Sequence, residues 1–140
     1  MVILFDRFNL PEDIFEVIFA TKQQIIVAKL LIEEMKANDG EINKTVMSLI
    51  ATKLHEGKYE TRLIEEPPYK GKKVKLSYNK RQFYDRILTP MKSMGLVNYD
   101  LYKKTYKISD NFNKDMIRIG LLWLMEMKKP AKYIPNIKKP

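Results

Sequence analysis

Between positions 78 and 86 the chain reads Tyr-Asn-Lys-Arg-Gln-Phe-Tyr-Asp-Arg, and between 102 and 107 Tyr-Lys-Lys-Thr-Tyr-Lys. Asn79 and Gln82 carry amides that can grip the edge of an adenine, and Arg81 carries the fork that matches a guanine. Lys80 and Arg86 suit phosphate oxygens, as do Lys103, Lys104 and Lys107 in the second run. Tyr78, Tyr84 and Asp85 belong to the same stretch. These groups bind through hydrogen bonds and charge; none is a nucleophile with its own base.

Bond-breaking chemistry has little to work with elsewhere. The chain has no cysteine, so thiolate zinc sites, disulfides and cysteine nucleophiles are excluded, and a reducing interior suits it. The single histidine, His55, follows a helical face and reads as an incidental surface residue. Glu33–Glu34 and Glu65–Glu66 are adjacent pairs that point different ways rather than converging dyads. There is no phosphate-cradling glycine loop, no His-Glu-x-x-His and no Gly-x-Ser-x-Gly. The expectation is a protein that is not an enzyme, with no cofactor and no metal.

The net charge of +9 on 140 residues is unevenly spread. Residues 1–66 hold 8 Lys/Arg against 12 Asp/Glu, whereas residues 67–107 hold 11 against 2. Residues 108–127 are close to balance, and residues 128–140 add 5 cations and no acid. The excess lies where the two runs lie, and a basic patch of this kind fits a polyanion; the bland reading is a lysine-rich solvated surface. The opening MVILFDRFNLPEDIFEVIFA is broken by acids and by Arg7, so it does not read as a signal peptide. The longest apolar runs are too short to span a bilayer, and a cytoplasmic protein is expected.

The elements that must hold these groups follow from periodicity. Residues 1–20 combine a strand-like VILF with a short helix entered at Pro11. Thr21 caps a helix over 22–37, with a broad apolar face from Ile25 to Met35, ended by Asn38, Asp39 and Gly40. A second helix is expected over 42–55 on Ile42, Val46, Leu49, Ile50 and Leu54, stopped by Gly57. Residues 58–76 read either as a hairpin or as an extended excursion, with the basic cluster Lys70, Lys72, Lys73 and Lys75 near its end. Ser77 caps a third helix over 78–94, disturbed at Pro90 and closed by Gly95. Leu96–Leu101 and Lys104–Ile108 form a hairpin joined by about two residues. A last helix runs from Phe112 to about Met127, and the tail 129–140 is basic and proline-containing.

The segment NKRQFYDRILTPMKSMGLVNYDLYKKTYKIS, with its apolar phrase from Met91 to Val97 and its Tyr106–Ser109 ending, resembles the winged helix-turn-helix DNA-binding domain. Small archaeal and archaeal-virus transcription regulators are of this kind. The likeness covers about two thirds of the chain and departs at the long segment between the second and third helices. It implies a mainly α fold with a small β component (α+β). The winged-helix domain would span 21–109 with an insertion at about 56–76, preceded by a packing segment 1–20 and followed by a helix 110–128.

What the resemblance implies about function is binding of double-stranded DNA, as by a repressor-like regulator. The third helix would lie in the major groove, with the wing of about 96–108 on the flanking backbone. Tyr78, Asn79, Lys80, Arg81, Gln82, Tyr84, Arg86, Lys103, Lys104 and Lys107 would make the contacts, and Lys70, Lys72, Lys73 and Lys75 would assist. The last helix would pair two copies through Met116, Ile117, Leu121, Trp123 and Leu124, or else close the core of a single chain. A winged-helix module for protein assembly or replication initiation is the alternative.

Overall fold

The computed structural model describes residues 6–61 and 73–133, with Thr61 by its backbone alone. After a single 3-10 turn (Arg7–Asn9), its first α-helix, α1 (Ile14–Ile18), is short and is capped by Asp13 rather than entered at Pro11, because the Asp13 carboxylate accepts the Phe15 N–H. The strand expected at VILF lies outside the described residues. Phe19 is buried, and Phe15 and Ile18 pack against the core. Helix α2 (Lys22–Ala37) is bounded as expected: Thr21 and Gln24 form a reciprocal capping box at its start. At its end Asn38 and Gly40 both donate to the Met35 carbonyl, with Asp39 and Gly40 at φ 59° and 82°.

The second helix begins later than periodicity suggested. Residues 41–43 form a strand, β1 (Glu41–Asn43), and α3 (Lys44–His55) follows at once. Asn43 is the cap, its side chain accepting the Val46 N–H at 2.8 Å. Ile42 is therefore a buried strand residue, and the face turned inward is Met47, Ile50, Ala51 and Leu54, while Leu49 is 52% exposed. A three-residue strand directly before a helix keeps one apolar residue at a spacing that also fits the helix, which is why the pattern misled.

Two short strands, β2 (Tyr59–Thr61) and β3 (Val74–Leu76), pair antiparallel, so the base of the 58–76 segment is a hairpin. The third helix is continuous from 80 to 93. It comprises α4 (Lys80–Gln82), a π-helical stretch (Phe83–Leu88) and α5 (Thr89–Ser93). Pro90 explains the π stretch: it has no N–H to give and its ring would strike the carbonyl four residues back. Widening the preceding turn, so that the Thr89 N–H bonds to the Tyr84 carbonyl, removes that conflict without breaking the helix.

Gly95, at φ 79°, turns the chain into β4 (Val97–Asp100), which pairs with β5 (Thr105–Ile108). The connecting loop is residues 101–104, four residues rather than about two. β5 also pairs with β1, giving a three-stranded antiparallel sheet in the order β1-β5-β4. Ile42, Tyr106 and Tyr99 form one row on its inner face. The core gathers α2, α3, the helix 80–93 and that face; Leu31, Met35, Met47, Leu54, Phe83, Ile87 and Met91 are fully buried. The chain is a mixed α and β protein, predominantly helical. The last helix, α6 (Asn111–Lys128), buries no residue against the other described residues.

Candidate nucleic-acid interface

The helix 80–93 begins where α3 ends. The Tyr78 N–H donates to the Leu54 carbonyl at 2.9 Å, and the Lys80 N–H to His55 Nδ1 at 3.2 Å. Asn79 Oδ1 accepts the Gln82 N–H at 3.1 Å, so Asn79 is the cap; the Ser77 carbonyl instead accepts from Gln23 Nε2. His55 thus has a structural task that its sequence position did not announce. These bonds join the two helices as closely as a short turn would, although the β2–β3 excursion lies between them.

Outward from the core the helix presents one polar stripe. Arg81, Gln82, Asp85, Arg86, Thr89, Lys92 and Ser93 are exposed, and their spacing sets them in adjacent rows on one side. Arg81 Nε lies 3.7 Å from Asp85 in an exposed pair, with the Arg81 side chain 92% accessible, so that ion pair restrains the guanidinium little. Thr89, Lys92 and Ser93 were not among the expected contacts. Counting on by three and four from Asp85 and Arg86 would have found them, had Pro90 not broken the pattern.

Several expected contacts are not on that stripe. Tyr78 is a buried core residue, because the turn from β3 into the helix tucks its ring inward. Tyr84 is half-buried against the core, edge-on to Phe83. Lys80 is tied back to α3 by its Nζ, which donates to Thr52 Oγ1 at 3.1 Å. Lys107 lies mid-strand on the outer face of the sheet, in register between Glu41 and Asn98, on the opposite face to Tyr106. Lys73 and Lys75 are exposed near Glu60, Lys73 at 3.9 Å and Lys75 as its cross-strand partner. Lys70 and Lys72 lie outside the described residues.

The hairpin tip is built with more constraint than its polar sequence suggests. Asp100 Oδ1 accepts the N–H groups of Tyr102 and Lys103 at 2.9 and 3.1 Å. Lys104 takes the left-handed conformation at φ 54°, and its carbonyl accepts the Lys44 N–H at 2.9 Å. The first turn of α3 therefore sits beside the tip and brings Lys44 to Lys103 and Lys104, a neighbour that sequence distance hid. Leu101 and Tyr102 project fully, Tyr102 being 98% exposed. One pair in from the tip-closing pair of the hairpin, Lys92 Nζ lies 5.9 Å from the Tyr99 ring centre and 6.0 Å from that of Tyr106, linking the helix to the sheet. Burial, reinforced by the neighbouring Tyr99, raises the Tyr106 phenol above its ordinary range, so it is neutral at physiological pH.

No family model, curated protein or solved structure matches the chain. The site is therefore judged on its own chemistry. Among the described residues no cluster of three His, Cys, Asp or Glu side chains is placed to hold a metal ion, and no helix is long and apolar enough to cross a membrane. What the stripe and the tip share is donors: guanidinium, ammonium, amide and hydroxyl groups, with Asp85 the one acid on the stripe.

The tip has a pH dependence of known sign. The backbone N–H of Lys103, foremost, holds the Asp100 carboxyl below its ordinary 3.8. A depressed pKa means the turn is favoured whenever pH exceeds that ordinary value, and the advantage fades as pH falls through the lowered one. Amide exchange at Tyr102 and Lys103, compared with that of the α2 amides, should be protected at neutral pH and should rise selectively below about pH 3.8. Protection of these two amides, relative to those of α2, that stays unchanged even once acid has protonated Asp100 would show that the carboxylate does not hold the turn.

Proposed function

We propose that this chain is a winged-helix protein that binds double-stranded DNA and acts as a transcription regulator by occupying its site. In this reading the stripe of the helix 80–93 enters the major groove, and the tip 101–104 with Lys44 rests on the flanking backbone. The observation that carries it is the exposed row of Arg81, Gln82, Arg86 and Thr89 on a helix whose opposite side is core, flanked by a basic tip fixed by Asp100. The strand order β1-β5-β4, with a helix before and after β1, supports the same reading.

Fluorescence anisotropy with labelled duplex, single-stranded DNA and RNA across a salt series tests it. With about four phosphate contacts, affinity for duplex should fall roughly 10²-fold between 50 and 200 mM salt. The double variant Arg81→Ala, Lys104→Ala should bind duplex about 10- to 100-fold more weakly at fixed salt with unchanged thermal stability, since both side chains are exposed. Absence of duplex binding at low salt would overturn the proposal and favour a module that docks on protein.

A further inference from the structure

Hairpin loops favour Gly, Asn, Asp and Pro, yet the loop between β4 and β5 reads Leu101-Tyr102-Lys103-Lys104. Leu101 is 77% and Tyr102 98% exposed, so the fold uses neither side chain. The loop is nevertheless held in one shape. Asp100 Oδ1 accepts the N–H groups of Tyr102 and Lys103, and the Lys104 carbonyl accepts the Lys44 N–H. Lys104 stands in the left-handed region, at φ 54°, without a glycine's freedom to do so.

The surroundings indicate what the two side chains meet. Lys44, Lys103 and Lys104 are exposed beside them, so the tip is an apolar pair within a rim of ammonium groups. Seating that rim against the apolar surface of a protein would strand its charges. The minor groove of duplex DNA offers the inverse pattern, with phosphates along both walls and stacked bases at the floor. A lipid surface also sets anions over an apolar layer. Two side chains bury too little to hold a protein there, since even one myristoyl chain is marginal. The tip is also fixed relative to the polar stripe: Lys92, on the stripe, lies over Tyr99 and Tyr106, the pair next to the one that closes the loop.

We propose that Leu101 and Tyr102 are a wedge that enters the minor groove and unstacks one base step beside the base pairs the helix reads, so that the chain bends the duplex it binds. This rests on the DNA-binding reading and gives it a second source of sequence preference. Prying a step apart is easiest at pyrimidine–purine steps. The chain therefore favours such a step at a fixed offset from the helix's site, without any hydrogen bond to its base edges. A preformed loop loses little freedom on insertion, which is what the bonds to Asp100 and Lys44 contribute. Lys44, Lys103 and Lys104 then meet phosphates of the same groove.

Fluorescence anisotropy of the full chain tests this with two labelled duplexes of about 30 base pairs that differ only by a central T·T mismatch, where less stacking and pairing has to be undone. The native chain should bind the mismatched duplex about 10-fold more tightly. Donor and acceptor dyes at the duplex ends should report a shorter end-to-end distance on binding. The double variant Leu101→Ser, Tyr102→Ser should lose both the preference and the shortening. It should keep the thermal stability and the salt dependence of the native chain, because both side chains are exposed and no charge is removed. Equal affinity of the native chain for the two duplexes, or a preference that survives in the variant, would overturn the wedge and leave DNA binding standing. Absence of binding to either duplex at low salt, or binding to phosphatidylserine vesicles in its place, would bring down both.

Discussion

Gly95→Ala is expected to cost about 3 kcal/mol of unfolding free energy, a large share of what a domain of this size has. Two effects add. At φ 79° an L-residue with a Cβ is strained by about 1–2 kcal/mol. The added Cβ would also lie 3.0 Å from both the Asn111 Cβ and the Phe112 backbone N, and neither is a flexible side-chain end that can step aside. Gly40→Ala is the internal control. Its φ of 82° carries the same conformational cost, but a Cβ there meets nothing within 4 Å, so about 1 kcal/mol is expected. Urea unfolding of both variants measures the difference, which isolates the pressure of α6 on the turn. Equal losses would show that the first turn of α6 yields freely.

Phe83→Ala should be at least as damaging, at about 3–5 kcal/mol. The ring has no solvent exposure and lies edge-on to Tyr84, with centroids 5.6 Å apart. It opens the π-helical stretch, where backbone spacing is already adjusted around Pro90, so neighbours have little freedom to collapse into the gap. Phe83→Leu should recover most of the loss. If denaturant midpoints showed Phe83→Ala within 1 kcal/mol of the native chain, the core would be far more compliant than its complete burial of Ile87 and Met91 implies. The same substitution should weaken duplex binding beyond its effect on stability, because the polar stripe is aimed by what lies beneath it.

Much of the architecture could be read from local chemistry. Thr21, Gly40, Gly57 and Gly95 stand at the boundaries where their conformational preferences put them, and the helix 22–37 matches residue for residue. The errors share one cause, which is that contacts distant in sequence leave no local trace. Ile42 fits a helical face by spacing and belongs to a strand because β5 pairs with it. Tyr78 resembles a surface tyrosine until the hairpin base turns it inward. Lys80 looks free until Thr52 is beside it. Lys107 is basic and adjacent to the tip in sequence, yet strand alternation puts it on the other face. Arg81, Gln82 and Arg86 were legible because exposure on a helix follows from periodicity alone. Lys44 was not, because only the Lys104 carbonyl brings it to the tip.

The bond from Tyr78 to the Leu54 carbonyl has a consequence for how this chain can vary. The two helices are clasped to each other directly, and β2 and β3 leave and return at the same point, where Ser77 lies 3.8 Å from the place a Cβ on Gly57 would occupy. Closing a loop costs only about 0.6 kcal/mol more for each doubling of its length. On that count, lengthening the connection between β2 and β3 adds little chain-entropy cost. The clasp between the two helices is thus independent of how long the connection between β2 and β3 is.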